Sequence, residues 1–597
     1  MESVEKSAPE NSKSASGVHT GGLMTHPRKI GVLTGLLLSF LLSLLQPWHG
    51  AQAAQAAIAM PDKYAAAAAR DTLQAGGNAV DAAIAAAFVL AVTYPEAGNI
   101  GGGGFMVTHM EGESAFLDFR EKAPVSASRD MFLNDAGEFV QRRSLVGGLA
   151  VGVPGTVRGM QAAHQRYARL PWRRLLVPAV RLARDGFVVP ESLARKAGEA
   201  SDYFAGDTNF DQHFALETGQ NFRQPALALT LMRIADDPDN FYKGLIAQQI
   251  ISQMATSRGL IIARDLAEYA AVWREPLKIS WRGHELLSAP PPSSGGIALA
   301  QQLSMRDAAD SLFDGVSHNS AQYLHLLAEI QKRVFADRGS YLGDPDFGDV
   351  PVAALTDIKY LQGRAASINP IAISADVRPG LGESDTSQTT TESPDTTHFS
   401  ILDGEGNAVS LTYTLNFEFG SGVVVEGAGF LLNNEMDDFS AKPGTPNGFG
   451  VVGADMNAIE PGKRMLSSMS PSVLLRDQRP AVVVGTPGGS TIFTSVFQVL
   501  LNVLDYGMSA EAAVSAPRFH HQLPDALRLR HDPDPGLSGE DRKALDALGY
   551  EVVTNWWGSI GDVQLVLRRA DGTMEAAADP RGRGVAEVFS VVEKAAN

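Results

Sequence analysis

The stretch DTTHFSILDGEGNAVSLTYTLN, residues 395–416, predicts a two-stranded β-hairpin. Its first strand spans residues 398–402 and its second strand spans residues 408–416. The loop between them contains aspartate, glycine and asparagine, which are typical of a turn. If this loop is symmetric, Thr396 lies directly opposite Thr414.

The two faces of the second strand differ in polarity. Because side chains alternate along a strand, its apolar residues point one way and Thr412, Thr414 and Asn416 point the other. The hydroxyl of Thr396 would then face a hydroxyl and an amide on the neighbouring strand. A register change of one residue would destroy this arrangement, and β-propensity alone also explains a threonine-rich hairpin.

The composition is that of a globular protein, with 597 residues of which 44% are hydrophobic and 20% are charged. A chain of this length can bury a large core, and length alone predicts more than one domain. The net charge of -17 argues against a nucleic-acid partner, because phosphate binding needs clustered Lys and Arg. The absence of cysteine excludes thiol nucleophiles, disulfides and cysteine-ligated zinc.

The N-terminal segment predicts export. Residues 1–22 have a polar composition typical of disorder, residues 28–29 are basic, and the apolar run 30–45 is followed by the small residues of 51–53. This order is that of a bacterial export signal cleaved near residue 53. The apolar run is short for a membrane span, and an uncleaved anchor is the alternative. Met24 would give a signal of ordinary length if translation began there.

The first part of the mature chain predicts buried helices followed by a glycine run. Gly76 and Gly77 end one alanine-rich helix, and Asn78 is placed to cap the next. Residues 101–104 are all glycine, which indicates close approach to another backbone or to a ligand. No Lys-Ser/Thr follows, so a phosphate-binding loop is excluded. A tight turn beside the core and a functional loop both stay open.

The middle of the chain predicts helices, with two interruptions. A long helical region runs from residue 153 to about residue 335, and the proline-rich segment 289–296 breaks it. Residues 336–338 and 341–345 are interpreted as packing and turn residues. Residues 379–394 are rich in Gly, Ser, Thr and Pro, a composition typical of a flexible linker.

Several polar residues on both sides of this linker have more than one possible role. Arg120 follows a predicted strand, where a lone arginine is usually a surface charge or part of an ion pair. Glu435 and Asp438 lie three residues apart and are compatible with an acid–base pair, a metal site or a solvated turn, although no further metal ligands lie nearby. Ser467 and Ser468 are adjacent serines of a kind common in loops.

A strand, a glycine pair and a helix start follow one another in residues 481–504. Gly488 and Gly489 form a predicted tight turn, and Ser490 is placed to cap the helix beginning at residue 491. Free backbone N–H groups at such a point suit an oxyanion. A nucleotide phosphate is the rival ligand, but no P-loop lysine is present.

Two adjacent histidines, His520 and His521, also invite a metal-site interpretation. Neighbouring side chains on a strand point to opposite faces, so a structural role is expected for both.

Taken together, the segments around these residues resemble the γ-glutamyltranspeptidases from about residue 60 to about residue 580. The resemblance implies an α+β fold: the four-layer αββα sandwich of the N-terminal-nucleophile hydrolases. It also implies that the chain cuts itself between Asp395 and Thr396. Residues 54–395 would then form a large subunit, and residues 396–597 a small subunit.

The same resemblance assigns catalytic roles. Thr396 would be the nucleophile, its new α-amino group would be the base, and Thr414 would orient it. An α-amino group has a pKa suited to this task near neutral pH. The Gly488 and Gly489 amides would stabilise the oxyanion. No cofactor or metal is expected.

Substrate recognition is likewise implied by the resemblance. Arg120, Ser467 and Ser468 would bind the α-carboxylate of a γ-glutamyl group, and a planar guanidinium can do this with two hydrogen bonds. Glu435 and Asp438 would hold its α-amino group, with Asp437 a weaker candidate. The remaining parts are a contact from Asn416 and a lid over the pocket, residues 440–450, with Phe449 near its end.

The expected partners are glutathione and other γ-glutamyl donors, with water, amino acids or peptides as acceptors. The two subunits would stay together as a heterodimer without a disulfide. The expected location is the periplasm, with a secreted or membrane-tethered enzyme as alternatives. A cephalosporin or glutaryl acylase would share the self-cleavage but not the clamp for the amino-acid head group. A secreted binding protein would remain a single chain.

Overall fold

The computed structural model describes residues 54–382, 396–555 and 558–591. The predicted signal, most of the predicted linker and Asp395 therefore lie outside the described residues. No helix in the described part of the chain combines the length and the apolar character that a membrane span requires.

Eighteen strands are present in the described residues. They are β1 (Ala54–Met60), β2 (Gly103–Met110), β3 (Glu113–Phe119), β4 (Phe187–Val188), β5 (Asn221–Phe222), β6 (Val272–Arg274), β7 (Leu277–Trp281), β8 (His284–Ser288), β9 (Thr397–Leu402), β10 (Ala408–Thr414), β11 (Ser472–Arg476), β12 (Arg479–Gly485), β13 (Phe519–His520), β14 (Arg528–His531), β15 (Glu551–Thr554), β16 (Gln564–Arg568), β17 (Met574–Ala578) and β18 (Val585–Val591).

The α-helices of the same ranges are α1 (Lys63–Gln74), α2 (Ala79–Thr93), α3 (Gln141–Leu145), α4 (Thr156–Tyr167), α5 (Trp172–Asp185), α6 (Glu191–Phe204), α7 (Pro225–Asp236), α8 (Asn240–Lys243), α9 (Leu245–Ser257), α10 (Ala263–Glu268), α11 (Gly295–Ala308), α12 (Ala321–Tyr341), α13 (Val352–Leu355), α14 (Ile358–Ala366), α15 (Ile492–Leu504), α16 (Ala510–Ser515) and α17 (Gly539–Leu548). Short 3₁₀ turns include Glu435–Asp438 and Gly489–Thr491.

Two large antiparallel sheets form the centre of the molecule. The first has the strand order β18-β1-β9-β10-β2-β3-β6, and the second has the order β17-β16-β12-β11-β8-β7. Each sheet contains strands from both sides of residue 395. The segments before and after the predicted cleavage point therefore fold as one unit rather than as two separate domains.

The alternating packing of side chains along the strands shows that the two sheets are stacked. Phe105 of β2 and Val473 of β11 belong to one apolar cluster between the sheets. Their neighbours in sequence face outward: Met106 packs in the cluster with α1 and α2, and Leu474 packs in the cluster with α12 and α15. Since side chains alternate along a strand, helices cover both outer faces. The predicted four-layer αββα arrangement is confirmed.

The hairpin lies inside the first sheet with the predicted register. β9 pairs with β10 so that Thr397 lies opposite Tyr413, and the next step places Thr396 opposite Thr414. The turn closes where it was expected, because Asp403 N–H donates to Asn407 O at 2.9 Å.

The glycine run serves close backbone packing beside the hairpin. A Cβ atom added to Gly102 would lie 2.0 Å from Thr414 O, and one added to Gly104 would lie 2.4 Å from Thr412 O. Only glycine allows the chain to pass this close to β10. The contact is with protein backbone, so the packing interpretation of the run is the one the structure supports.

Local predictions differ in outcome. Asn78 caps α2 as expected, with Asp81 completing a capping box. The prediction of a long helical region from residue 153 was incomplete, because β6, β7 and β8 interrupt it. β6 and β7 are edge strands of the two large sheets, where short and charged strands are common.

We predict that Gly102→Ala lowers the thermal unfolding midpoint, because its methyl group would overlap the Thr414 carbonyl that lies next to the hairpin's polar end. Overpacking of this kind costs about 1–3 kcal/mol. The matched control is Gly363→Ala in α14, where no atom lies within 4 Å of the added Cβ. This helical substitution should be neutral or slightly stabilising. Equal midpoints for Gly102→Ala and wild type would contradict the packing account.

Candidate active site

Thr396 is buried at the start of β9 and faces the end of β10. Its Oγ1 donates a hydrogen bond to Thr414 Oγ1 at 3.3 Å, and the backbone N–H of Asn416 donates to the same Thr414 oxygen at 2.7 Å. The Thr396 hydroxyl is thereby held in one orientation beside the strand end. The predicted pairing of the two threonines is present.

Asn416 turns the chain away from the sheet. Its backbone has a φ of 82°, in the left-handed region that asparagine tolerates better than most residues. Its side-chain Nδ2 donates to Asn434 O at 3.0 Å. This bond ties the end of β10 to the segment that carries the acidic residues of the site.

A pocket opens beside Thr396. Every predicted catalytic or substrate-binding residue except Gly488 lines it. Its walls are formed by Arg120, Arg338, Thr396, Thr414, Asn416, Glu435, Asp438, Asn447, Phe449, Val451, Ser467, Ser468, Met469, Gly489, Ser490 and Ile492.

Arg120 lies fully buried at the end of β3 and links the acidic residues. Its Nη1 donates to Glu435 and its Nη2 donates to Asp438, while its Nε donates to Met465 O at 3.3 Å. Glu435 and Asp438 are the ends of one 3₁₀ turn. Residues three apart in a 3₁₀ helix lie on the same side, so both carboxylates face the guanidinium.

Asp437, between them in sequence, points to a different environment. It accepts hydrogen bonds from Ser144 Oγ at 2.5 Å and from the backbone N–H of Gly448 at 2.7 Å. Burial raises the pKa of Asp437 to about 7. Its contacts connect the acidic turn to residues 440–450, the predicted lid, and do not reach the pocket.

Charge is concentrated around this one guanidinium. Burial raises the pKa values of Glu435 and Asp438, and attraction to Arg120 opposes that rise. Glu121 Oε2 lies 3.6 Å from Arg120 Nη1, and burial raises its pKa to about 8. Because three carboxyl groups share Arg120, the site favours a ligand that brings a positive group of its own.

The two serines offer hydrogen-bond donors to the same pocket. Ser467 Oγ accepts from Met469 N–H at 3.1 Å, and Ser468 Oγ accepts from Arg338 Nη2 at 3.0 Å. A hydroxyl has one proton to donate. Together with Arg120, these hydroxyls suit an anionic group such as a carboxylate.

The glycine pair follows β12, but its details differ from the prediction. Gly488 has a φ of 134° and Gly489 a φ of 53°, and only Gly489 lines the pocket. The Ser490 cap prediction was wrong: α15 begins at Ile492 after a 3₁₀ turn. Ser490 Oγ instead donates to Gln522 Oε1 at 2.7 Å.

Phe449 covers the glycine pair from the lid segment. Its ring stacks on Phe417 with centroids 4.6 Å apart, and a Cβ atom at Gly489 would lie 2.5 Å from the same ring. An aromatic side chain therefore closes one side of the pocket, as predicted for residue 449.

The histidines lie in structural positions. His398 is fully buried between Thr412 and Ser400, with ring nitrogens 2.8 Å and 3.0 Å from their hydroxyl oxygens. Burial lowers the pKa values of His398, His520 and His521 to about 3. Among the described residues that line the pocket there is no histidine, and the described ranges contain no group of three or more acidic or histidine side chains arranged to hold a metal ion.

Comparison with known proteins places the chain in a family. The γ-glutamyltranspeptidase family model matches residues 65–589. A glutathione hydrolase proenzyme of Pseudomonas aeruginosa is 56% identical over 534 residues, which cover 89% of this chain and 94% of that protein. The chain belongs to the γ-glutamyltranspeptidase family.

Solved structures agree with this family assignment. A cephalosporin acylase from Bacillus halodurans matches with a TM-score of 0.78 and 28% identity, covering 90% of this chain and 96% of that chain. A γ-glutamyltranspeptidase from Pseudomonas nitroreducens complexed with L-DON matches with a TM-score of 0.54 and 54% identity, covering 54% of this chain and 97% of that chain. The γ-glutamyltranspeptidase fold is thus the fold of this chain.

Three polar residues in or beside the pocket were given no individual role by the sequence reasoning. Arg338 was grouped with packing and turn residues, yet it lines the pocket and contacts Ser468. Asn447 Nδ2 lies 3.4 Å from Asp438 Oδ1, and Glu121 faces Arg120. The motif match around residue 120 was the only signal that pointed toward Glu121, and no spacing pattern connects Arg338 with Ser468.

We predict that Glu121→Gln stabilises the protein increasingly as pH rises. The carboxyl pKa is raised from an ordinary 4.5 to about 8 in the folded chain. The folded state therefore binds the extra proton, and wild type loses stability between these pH values by up to about 1.4 kcal/mol per pH unit. Unfolding midpoints should match near pH 4.5 and diverge toward pH 8.

The control for this series is Glu113→Gln at the exposed start of β3. This exposed carboxyl lies away from Arg120, so comparing the two variants isolates the effect of removing the buried one. A pH-independent difference between Glu121→Gln and wild type would show that Glu121 gains no proton on folding.

Proposed function

We propose that the chain is a γ-glutamyltransferase that cuts itself once and then uses Thr396 as its nucleophile. The observation that supports this most strongly is the pocket that holds the Thr396 hydroxyl beside Arg120, Glu435 and Asp438. The Thr396 hydroxyl can attack a carbonyl on one side of the pocket. The three charged residues on the other side can bind an amino-acid head group. The donors would be glutathione and related γ-glutamyl compounds.

Self-cleavage would come first. Thr396 Oγ1 attacks the Asp395 carbonyl carbon, the peptide nitrogen leaves as the Thr396 amine, and an ester links the two residues. Water then hydrolyses this ester, leaving a carboxylate on Asp395 and a free hydroxyl on Thr396. The name proenzyme of the Pseudomonas aeruginosa relative supports such a step. So does the solved Pseudomonas nitroreducens chain, which aligns almost whole with 54% of this chain.

The new N-terminus would supply the base for the second reaction. A threonine hydroxyl is a weak nucleophile until a base takes its proton, and an α-amino group has a reference pKa of about 7.7–8.0. Thr396 Oγ1 attacks the γ-amide carbon, and the N–H groups of Gly488 and Gly489 stabilise the oxyanion. The amine product leaves with a proton, and a γ-glutamyl ester remains on Thr396.

Thr414 would keep the attacking oxygen in place through the 3.3 Å hydrogen bond. The ester is then attacked by water, which gives glutamate, or by the amine of an amino acid or peptide, which gives a new γ-glutamyl amide. In both routes the α-amino group takes a proton from the attacking water or amine and passes it to Thr396 Oγ1, which regenerates the hydroxyl and the free amine.

The head group would be held by complementary charge. Its α-carboxylate binds Arg120, Ser467 and Ser468, and its α-ammonium binds Glu435 and Asp438, with Asn416 as a further contact. Since the head group carries one positive and one negative charge, it enters this buried site without adding net charge. An isolated ion would have a much higher desolvation cost.

Residues 54–395 and 396–597 would remain associated after cleavage. Both segments contribute strands to each large sheet, so separating them would expose both cores. We also propose that residues 1–53 direct export, with the periplasm as the destination.

An acylase that lacks the head-group clamp is the second candidate, because the cephalosporin acylase structure matches 90% of this chain. The buried group of Arg120, Glu435 and Asp438 favours the γ-glutamyl reaction, because it can pair with both charges of an amino-acid head group. A site built around buried polar groups rejects a substrate that leaves them unpaired. Glutaryl compounds, which lack the α-amino group, should be poor substrates.

We predict that purified wild-type protein consists of two chains, the smaller beginning Thr-Thr-His-Phe, whereas Thr396→Ala stays as one chain. Intact mass and N-terminal sequencing measure this directly. Thr396→Ser keeps a hydroxyl at the same position and serves as the matched control, which should still be cut. An uncut wild type would exclude the proposed mechanism.

For processed wild type, γ-glutamyl-p-nitroanilide should be cleaved at least about 100-fold more efficiently than glutaryl-p-nitroanilide. The reverse preference would favour the acylase alternative while leaving the Thr396 nucleophile intact.

A further inference from the structure

Arg338 joins two loops at the wall of the pocket. It lies in the last turn of α12, with 8% of its surface exposed. Its Nε donates to Ser294 Oγ at 3.0 Å, and its Nη2 donates to Ser468 Oγ at 3.0 Å. One planar guanidinium therefore spans two serines that are far apart in sequence.

The bond to Ser294 continues to the other pocket serine. Ser294 Oγ donates to Ser467 O at 2.8 Å, and the backbone N–H of Ser294 donates to the same carbonyl at 2.8 Å. Arg338 thus contacts the Ser468 hydroxyl directly. Through Ser294 it is linked to the backbone carbonyl of Ser467. Both serines belong to the predicted carboxylate site.

The direction of these hydrogen bonds has a chemical consequence. A guanidinium only donates, so Ser468 Oγ acts as the acceptor in its bond to Arg338. The Ser468 proton must then point elsewhere, and Ser468 lines the pocket. With Arg338 behind it, this hydroxyl is turned into a hydrogen-bond donor toward a pocket ligand.

The charge of Arg338 acts in the same place. Its attraction opposes the burial that raises the pKa of Asp438, as does the stronger attraction of Arg120. Arg338 therefore favours the ionised form of the carboxylate that faces the head-group site, beside Glu435.

We propose that Arg338 is a positioning residue for the two-serine carboxylate site, orienting the Ser468 hydroxyl and anchoring Ser467. This inference rests on the proposed function of that site. Arg338 acts through the serines, so its removal should weaken binding of the γ-glutamyl head group more than it slows the chemical step at Thr396.

A double-mutant cycle on the processed enzyme tests this. Arg338→Met should raise KM for γ-glutamyl-p-nitroanilide and the inhibition constant of L-glutamate about tenfold, the loss expected for one charge-assisted hydrogen bond. The kcat value should change less than about threefold. Ser468→Ala should have a similar effect, and the double variant should be less than about threefold worse than Ser468→Ala.

Two variants separate positioning from general damage. Arg333→Met removes a buried arginine of the same helix that bonds Glu329 and Ser367, so it should lower the unfolding midpoint without changing the L-glutamate constant. Arg338→Lys keeps the charge but cannot span both serines. Its inhibition constant for L-glutamate should stay well above that of wild type.

The inference is overturned if the effects of Arg338→Met and Ser468→Ala multiply in the double variant, or if Arg338→Lys restores wild-type binding. An unchanged L-glutamate constant in Arg338→Met overturns it too, while the proposed function stands. A wild type that neither cuts itself nor hydrolyses γ-glutamyl-p-nitroanilide overturns the proposed function, and this inference with it.

Discussion

The register between β9 and β10 is the constraint on which the site depends. Tyr413 packs with the helical layer, while Thr412 points to the opposite face of the sheet, where it contacts His398 of the neighbouring strand β9. A slip of one residue would exchange these faces, and both apolar cores oppose it. The same register brings Thr396 against Thr414. The packing that stabilises the sandwich therefore also fixes the position of the Thr396 hydroxyl at the end of these strands.

The second constraint is charge. Arg120 is buried together with three carboxyl groups, an arrangement whose desolvation makes it poor as a device for stability. In the proposed function its role is recognition, because a zwitterionic head group can exchange partners with it and leave no charge unpaired. The proposed role of Arg338 extends this arrangement on the side of the serines. On this proposal the pocket recognises one end of the substrate, while Thr396 acts on the other.

Much of this could be predicted from local sequence. The turn after β9, the Asn78 cap and the glycine run each depend on residues adjacent in the chain, and the family resemblance supplied the four layers and most of the pocket. The edge strands β6 and β7 were missed because they are short and interrupt a helix-rich region. The Ser490 cap was wrong because its hydroxyl is used by Gln522. Arg338 was missed because its contact with Ser468 exists only in three dimensions.

The central claim is that Thr396 carries the γ-glutamyl group between the two half-reactions. The measurement that tests it most directly is the intact mass of the small chain during turnover of a γ-glutamyl donor, quenched in acid and followed by peptide mapping. The account predicts the mass of one γ-glutamyl group on the peptide that begins at Thr396, removed on adding an acceptor amine. A small chain that stays unmodified throughout turnover, or a label on another residue, would contradict it.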